Sequence, residues 1–344
     1  MVVIARLLPG SLCLPQLPYH VVRMRLFFKK GPLFYLFFNL RLFFHLLFRK
    51  ADLLIANDLD TLAPNFLVSR IKSCQLIYDS HEIFTEVPEL QGHAFKKKIW
   101  KPLEEFIVPR VHFCFTVNES ISNWMKKNYS HDFFVVRNVP EKMKNPSSCK
   151  RRDELGLPED KKIIILQGAG ININRGAEEL VDAMNFTNES IVLLIVGSGD
   201  IIPALKIQAK KLVREGKIIF KNKMLPNELF YYTSASDAGL TIDKDTNLNY
   251  RYSLPNKIFD YFNAGIPVLS SRLPELEKLI KKYNVGNFIE NHNPQHIADS
   301  IQKFFADERY IQWKENTELA SKENCWEIEK QVWSTIIDKL EMVG

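Results

Sequence analysis

The sequence predicts an α/β protein of two lobes, each a parallel sheet with helices on both faces. Its 344 residues exceed one ordinary domain and suit two lobes of roughly 150 residues each. Short apolar runs alternate with helical patterns, which is typical of strand–helix repeats. The runs are nearly continuously apolar, as expected where helices cover both faces of a sheet. We therefore expect two Rossmann-like lobes.

The first lobe is predicted over residues 1–145, with helices between its strands. Its strands are the apolar runs Val2–Arg6, Leu53–Asn57, Leu76–Asp79, Phe113–Val117 and Phe133–Arg137. The stretch Glu141–Arg152 then carries Pro, Asn, Ser and charge with almost no apolar residue. Such a composition predicts the linker to the second lobe.

The second lobe is predicted over residues 151–325, and its helices include Asn227–Ala235 and Asn256–Ala264. Its strands are Ile163–Gln167, Val192–Val196, Ile218–Phe220, Ala238–Ile242 and Pro267–Ser270. No strand follows the last periodic segment. Residues 326–344 are therefore predicted to form a C-terminal helix that joins the first lobe.

Residues 26–50 form a strongly aromatic segment with Phe at eight positions. Arg41, His45 and Arg49 interrupt the apolar run, which falls short of the roughly 18 to 20 residues that a membrane-spanning helix needs. One interpretation is a helix buried on the sheet. The other is a helix that also touches an anionic membrane surface. The cations that would flank such a contact are Lys29, Lys30, Arg49 and Lys50.

Net charge and cysteine content limit the possible partners. The net charge of +6 is spread over separate basic clusters, with no accompanying nucleic-acid-binding motif, so we expect no nucleic-acid partner. Phosphate-bearing small ligands and anionic lipids fit the charge better. The five cysteines are far apart and form no Cys-x-x-Cys pair, which favours reduced thiols in the cytoplasm.

Two glycine-containing turns follow predicted strands of the second lobe. The first, LQGAGININRG (Leu166–Gly176), contains Gly168, Gly170, Asn172 and Arg175. Its glycines let backbone approach a phosphate, and a guanidinium fits a diphosphate, although Gly-x-Gly is often only a tight turn. The second, VGSGD (Val196–Asp200), contains Gly197 and Gly199. Turn closure and nucleotide contact are equally open for this second turn.

The most informative motif is SLPNKIFDYFNAGIPV (Ser253–Val268). Pro255 suits the first turn of a helix, and Ser253 is a candidate cap. Asp260 lies one turn after Asn256 on the same face. An open helix N-terminus can take phosphate oxygens while a carboxylate one turn deeper accepts hydrogen bonds from ribose hydroxyls.

These motifs make the chain resemble the GT-B fold glycosyltransferases of family 4, which are retaining nucleotide-sugar enzymes. The similarity covers essentially the whole chain. It rests on six segments in the family's order, YDSHEIFTEVPEL (Tyr78–Leu90), FTVNESI (Phe115–Ile121), VVRNVP (Val135–Pro140), LQGAGININRG, VGSGD and SLPNKIFDYFNAGIPVL.

The resemblance implies a role for each matched residue. Asp260 matches the second acid of the Glu-x7-Glu motif, which holds the donor ribose, and Arg175 matches the basic residue facing the donor diphosphate. His81 matches a first-lobe histidine near the donor sugar, so His81 and Arg175 are the expected catalytic residues. The other expected donor-binding residues are Gly168, Gly170, Asn172, Gly197, Gly199, Tyr252, Ser253, Leu254, Pro255, Asn256 and Lys257.

The sequence departs from the family at two places. Tyr252 stands where the motif's first Glu is expected, and Asp243 and Asp245 are nearby acids that could replace it. Relatives also begin with a strand, loop and helix before the strand matched by Val2–Arg6, so we expect an incomplete first lobe or a shortened sequence.

The leading hypothesis is a retaining hexosyltransferase that moves sugar from a UDP- or GDP-sugar to a saccharide or lipid-linked acceptor in polysaccharide or glycolipid assembly. We expect neither a cofactor nor a metal, because Arg175 and Lys257 can stabilise the diphosphate and Asp58-Leu-Asp60 is interpreted as a helix cap. The expected location is cytoplasmic, with weak peripheral membrane contact. The alternatives are a nucleotide-sugar epimerase, with Asp79, Glu82 and Glu86 as acid–base groups, and a non-catalytic scaffold.

Overall fold

The computed structural model describes residues 1–7, 14, 16–87, 90, 94–142 and 150–343. They form two compact units. The first comprises Met1–Thr85, Glu89–Thr116 and Trp124–Phe134, and the second comprises the remainder. Most of the predicted linker, residues 143–149, lies outside the described residues.

The N-terminal part contains two separate sheets. Strand β1 (Val2–Arg6) pairs in parallel with β2 (His20–Met24). The second sheet has the order β3-β4-β5-β6, and both its β3–β4 and β4–β5 pairs are parallel. These strands are β3 (Leu53–Asn57), β4 (Gln75–Ser80), β5 (Phe113–Thr116) and β6 (Phe134–Val135). Five predicted strands are thus present, but β1 bonds to the unpredicted β2 instead of joining the larger sheet.

The helices of this part begin and end at ordinary signals. Helix α1 (Gly31–Leu47) has Pro32 in its first turn, where a missing N–H costs nothing. Helix α2 (Leu59–Lys72) is capped at its C-terminus by Ser73, which has the left-handed conformation with φ 54°. Within its described residues, this part also contains α3 (Ala94–Ile107) and α4 (Glu119–Tyr129).

Helix α1 has two apolar faces. One face is buried at four-residue intervals and packs towards α2, so α1 is buried on one side only, and the predicted packing of this helix on the sheet stays a prediction. The buried residues are Phe34, Phe38, Leu42 and Leu46. The other face is exposed and carries Leu33, Leu36, Phe37, Leu40 and Phe44. No helix in the described part of the chain has the length and apolar character needed to cross a bilayer.

The second unit is built on a six-stranded sheet with the order β12-β11-β10-β7-β8-β9, and its strand pairs are parallel. From β7 the chain runs to one edge through β8 and β9, and then returns to the other side of β7 at β10. In such sheets, ligands bind at the carboxyl ends of the strands where the order reverses. The strands are β7 (Lys162–Gly168), β8 (Ile191–Gly197), β9 (Ile218–Asn222), β10 (Ala238–Thr241), β11 (Val268–Ser271) and β12 (Gly286–Ile289).

Both faces of this sheet are buried, as the continuous apolar runs predict. Along β7, Ile164 and Leu166 pack into one apolar cluster, while Ile163 and Ile165 pack into the other. Helices cover each face. They are α5 (Ala177–Ala183), α6 (Ile202–Gln208), α7 (Lys210–Arg214), α8 (Pro226–Ser234), α9 (Leu248–Arg251), α10 (Lys257–Asn263), α11 (Pro274–Tyr283), α12 (Pro294–Ala306), α13 (Tyr310–Glu323) and α14 (Trp326–Val343).

All five strands predicted for the second lobe are present at nearly their predicted positions. Strand β12 was not predicted because its sequence, GNFI, begins with two residues of low strand propensity. Gly286 is needed there, since a Cβ would lie 1.8 Å from the carbonyl oxygen of Val268. Helix α14 falls within the second unit, and its predicted return to the first lobe stays a prediction.

Candidate functional site

The two predicted glycine turns of the second unit pack on each other. The carbonyl of Gly168, at the end of β7, accepts a hydrogen bond from the backbone of Ser198 at 3.0 Å. The Ser198 carbonyl accepts one from Ile171 at 3.1 Å. The Asn172 side chain accepts a further bond from the Asp200 amide at 3.3 Å. We name residues 168–176 and 197–200 together the paired loops.

Glycines are required where the paired loops meet. A Cβ on Gly199 would lie 1.8 Å from the carbonyl oxygen of Ile171, and one on Gly197 would lie 1.8 Å from that of Gly168. Gly197 also has φ +142°, which disfavours a side chain. Of the two roles left open by the sequence, the structure supplies a structural one, close approach between loops. Nucleotide contact by Gly168, Gly170, Asn172, Gly197 and Gly199 stays a prediction.

Arg175 extends from the first of the paired loops towards the end of β10. Its Nε donates to Oδ1 of Asp243 at 2.5 Å, and its Nη1 donates to the Gly170 carbonyl at 3.3 Å. The guanidinium carbon lies 4.9 Å from the centre of the Tyr250 ring. Asp243 is only 3% exposed, and among the described residues its Oδ2 has no hydrogen-bond partner. This acid therefore holds Arg175 in place.

Replacing Arg175 by alanine is expected to weaken UDP or GDP binding by about 1.5 to 3 kcal/mol through loss of a charged hydrogen bond to the diphosphate. It should also lower the melting temperature, because Asp243 would be left buried without its cation. The double variant Arg175→Ala/Asp243→Leu should regain stability but not affinity. Calorimetry and thermal melts measure the two effects, and full affinity in either variant would contradict the assignment.

The segment before α10 differs from its predicted capping. The N-cap residue of α10 is Asn256, no side chain caps the helix, and the Ser253 hydroxyl donates to the Tyr250 carbonyl at 2.8 Å. The prediction that Ser253 caps this helix is wrong, because Ser253 and Pro255 precede its first turn. Leu254 is buried in the core. Gly265, with φ +72°, follows the end of α10 in the left-handed conformation that favours glycine.

A cavity of about 900 Å³ opens beside α10 within the second unit. Asn256 and Asp260 both line it, one helical turn apart, together with Gln167 from β7 and Thr233 from α8. Burial raises the pKa of Asp260 from 3.8 to about 6, while nearby Lys257 acts in the opposite direction. Burial also lowers the pKa of the Lys257 ammonium. A carboxylate acceptor thus faces an open cavity with a cation near it.

The two acids considered as replacements for the motif's first Glu are both engaged. Asp243 binds Arg175, and Asp245 forms an ion pair with Arg251 at 2.9 Å. Tyr252 ends α9, where its backbone amide donates to the Leu248 carbonyl at 3.1 Å. Neither Asp243 nor Asp245 is placed as a second sugar-facing acid by these contacts.

His81 follows β4 in the first unit and is held by two carboxylates. Its Nε2 lies 3.2 Å from Oδ2 of Asp79, and its backbone amide donates to Oδ1 of Asp58 at 2.9 Å. The hydrogen bond with Asp79 raises the pKa of the His81 imidazole. Asp58 occupies the N-cap position of α2, as the helix-cap interpretation of Asp58-Leu-Asp60 expects, although its side chain makes no capping bond to that helix. Asp58 instead fixes the backbone of His81.

Replacing His81 by alanine is expected to leave nucleotide affinity unchanged and to lower turnover about 100-fold. A reduction of about this size is typical when an enzyme loses one hydrogen-bond donor that contacts the transition state. The measurement is steady-state kinetics beside nucleotide calorimetry. His112→Ala, which removes an exposed histidine of the same unit, is the matched control. Normal turnover in His81→Ala would make His81 a purely structural residue.

Residues 149–320, half of the chain, match the family described as glycosyl transferases group 1. The chain belongs to the glycosyl transferases group 1. This match covers the paired loops, Arg175 and α10. No group of three or more His, Cys, Asp and Glu side chains within the described residues of this glycosyl transferase is placed to hold a metal ion.

Several curated proteins resemble this glycosyl transferase in sequence, including one from Candida albicans and one from Bacillus subtilis. The chitobiosyldiphosphodolichol beta-mannosyltransferase of Candida albicans is 22% identical over 277 residues, which are 74% of this chain and 60% of that protein. The putative teichuronic acid biosynthesis glycosyltransferase TuaH of Bacillus subtilis is 26% identical over 122 residues, which are 35% of this chain and 30% of that protein. The chain therefore matches less than two thirds of the length of these relatives.

A solved structure also resembles this glycosyl transferase. The crystal structure of Anabaena Alr3699/HepE in complex with UDP and glucose superposes with a TM-score of 0.70 and 17% identity, covering 93% of this chain and 86% of that chain. The α/β GT-B fold expected from the sequence is confirmed.

Two residues at the cavity were missed by the sequence analysis of this glycosyl transferase. Gln167 donates from Nε2 to Oδ2 of Asp260 at 3.0 Å, and the Thr233 hydroxyl lies 2.7 Å from Oε1 of Gln167. A polar Gln at the end of the apolar run KIIILQ was the available signal for Gln167. No sequence pattern indicated Thr233, because this residue lies 66 residues after Gln167 and the two meet only in the folded structure.

Proposed function

We propose that this chain is a glycosyltransferase that moves a hexose from a UDP- or GDP-sugar to a hydroxyl acceptor. The observation that carries the proposal is Asp260, a carboxylate presented to a cavity at the carboxyl ends of the strands, with Lys257 near it and Arg175 near Lys257. Asp260 would accept hydrogen bonds from the ribose hydroxyls, and the two cations would bind the diphosphate.

The proposed reaction forms one bond and breaks one. The acceptor hydroxyl oxygen bonds to the anomeric carbon of the sugar, and the bond from that carbon to the diphosphate oxygen breaks. Its electron pair stays with the diphosphate, which takes the acceptor's proton. Arg175 and Lys257 stabilise the charge that develops on the diphosphate, so the proposal requires no metal or cofactor. Retention at the anomeric carbon is proposed from the resemblance to family 4.

The names of the relatives support the donor and acceptor classes. The Anabaena structure holds UDP and glucose on the same fold, which supports a nucleotide-sugar donor. One relative is named for a chitobiosyldiphosphodolichol substrate and the other for teichuronic acid biosynthesis. We therefore propose a saccharide or lipid-linked acceptor in polysaccharide or glycolipid assembly.

A panel of UDP- and GDP-sugars tests the proposal. A donor that binds only the folded protein raises the melting temperature by mass action. The donor found in this way is then incubated with lipid-linked and free saccharides, and the product anomer is assigned by NMR. Transfer with retention is expected. Epimerised donor without transfer would favour an epimerase, and no stabilisation by any donor would favour a non-catalytic scaffold.

We also propose that the exposed face of α1 contacts an anionic membrane surface. Leu33, Leu36, Phe37, Leu40 and Phe44 line this face, and Phe27 and Phe48 are exposed beside its ends. Exposed apolar patches of this kind mark interaction surfaces. Four exposed cations flank the helix, which suits phosphate head groups. They are Lys29, Lys30, Arg49 and Lys50.

Liposome co-sedimentation is expected to show binding to anionic vesicles that weakens at high salt and is absent with neutral vesicles. Each cation near the surface contributes about 1 kcal/mol, so a variant with all four changed to Gln should lose most of the binding. The matched control changes four exposed lysines of the second unit to Gln. These are Lys210, Lys211, Lys281 and Lys282. Equal sedimentation with neutral and anionic vesicles would contradict the proposal.

A further inference from the structure

Asp260 does not face the cavity alone, because a chain of hydrogen bonds runs into the protein behind it. Nε2 of Gln167 donates to Oδ2 of Asp260 at 3.0 Å, and the Thr233 hydroxyl lies 2.7 Å from Oε1 of Gln167. Gln167 and Thr233 are each 1% exposed. This series of hydrogen bonds therefore links β7, α8 and α10 through buried polar groups.

The number of protons on each group determines which group donates in each of these hydrogen bonds. An ionised carboxylate can only accept, so Gln167 must turn its NH₂ group to Asp260 and its carbonyl to Thr233. The single hydroxyl proton of Thr233 must then point to Gln167, although the Leu229 carbonyl is also near, at 2.9 Å. That carbonyl loses little, because it lies within α8 and has a backbone partner available. Each link thus orients the next.

The second carboxylate oxygen is left for a ligand. Within the described residues no group donates to Oδ1 of Asp260, and Asp260 lines the cavity. A buried amide such as that of Gln167 costs free energy unless both of its ends are bonded. The two bonds that it makes offset the cost of burying Gln167 at the end of an otherwise apolar run.

We propose that Gln167 is a positioning residue that, supported by Thr233, fixes the Asp260 carboxylate so that its other oxygen accepts a hydrogen bond from a ribose hydroxyl. The inference rests on the proposed function of Asp260. The ligand class is a ribonucleoside diphosphate, and the discriminating group is its sugar hydroxyls rather than its base or phosphates. A carboxylate released from Gln167 can rotate and loses this discrimination.

The experiment compares the affinity for UDP and GDP with the affinity for their 2′,3′-dideoxy analogues. The parent protein is expected to bind the ribonucleotide at least about tenfold more tightly, the value of one charged hydrogen bond. Gln167→Leu and Thr233→Val should reduce this ratio to less than about threefold. Thr233→Ser, which keeps the hydroxyl, should restore it. Thermal melts establish that each variant is folded.

Two variants control for the loss of hydrogen-bonded polar side chains elsewhere, one exposed and one buried. Gln208→Leu removes an amide that donates to the Asp182 carboxylate at 2.6 Å, and Thr187→Val removes a buried hydroxyl that donates to the Met184 carbonyl at 3.1 Å. Both should keep the parent's ratio. A folded Gln167→Leu variant with the parent's ratio would overturn the inference and leave the proposed function intact. The role of Asp260 itself would be overturned if the parent protein bound no nucleotide, or bound the ribonucleotides and their dideoxy analogues with equal affinity.

Discussion

Replacing Asp260 by alanine is expected to raise the dissociation constant for the donor nucleotide roughly 10- to 150-fold. This corresponds to about 1.5 to 3 kcal/mol, the cost of losing hydrogen bonds to a charged acceptor. Calorimetry with every nucleotide that the parent binds gives the measurement. Asp299→Ala is the matched control, because Asp299 also accepts a Gln amide, from Gln295 at 3.0 Å. Unchanged affinity would remove Asp260 from the site.

The same carboxyl group makes nucleotide binding depend on pH. Its pKa of about 6 means that acidification through this value protonates the acceptor, and affinity should fall by up to about tenfold per pH unit below it. The stability of the folded protein depends on pH in the opposite direction, because the protonated form of Asp260 favours folding. Because the pKa is raised on folding, Asp260 contributes stability that is full below 3.8 and lost as pH rises through about 6. The melting temperature of Asp260→Asn should therefore exceed that of the parent near pH 7. The difference between the two melting temperatures should be smaller near pH 4.

Replacing Gly199 by alanine is expected to cost at least about 3 kcal/mol of unfolding free energy. The new Cβ would lie 1.8 Å from the carbonyl oxygen of Ile171, and backbone cannot move aside as a flexible side chain can. The melting temperature should fall by roughly 5 to 10 °C.

Gly170→Ala is the control within the same paired loops. Its Cβ would lie 3.7 Å from the nearest atom, Nη1 of Arg175, which is an ordinary contact. Its melting temperature should stay within about 2 °C of the parent's. Equal losses of melting temperature in the Gly170 and Gly199 variants would mean that the intrinsic conformational propensity of the residue, rather than contact between the loops, determines the stability of both variants.

Sequence patterns predicted the sheets well because a strand buried on both faces needs a continuous apolar run. Leu53–Asn57 agrees with β3 at both ends. Strand β2 (HVVRM) escaped prediction because His20 and Arg23 interrupt its apolar run, and it pairs with β1. The predicted Ser253 cap failed because α10 begins four residues later, at Lys257.

The candidate site could be predicted only where its residues lie close in sequence. Asn256 and Asp260 share one motif, so helical spacing was enough to place them together. The partner of Arg175 lies 68 residues away, and that of Asp260 lies 93 residues away. Such pairs depend on which strands become neighbours at the switch from β7 to β10. Local periodicity carries no information on that order.

The paired loops have a consequence for the entropy of binding. Each loop is bonded to the backbone of the other through Gly168, Ile171 and Ser198, so each loop supports the conformation of the other. A ligand that reaches either loop therefore meets both in a fixed conformation. The conformational entropy of ordering them is already lost when the chain folds, and the association step is spared that loss. Preorganisation of this kind lets a small, polar ligand bind through few contacts.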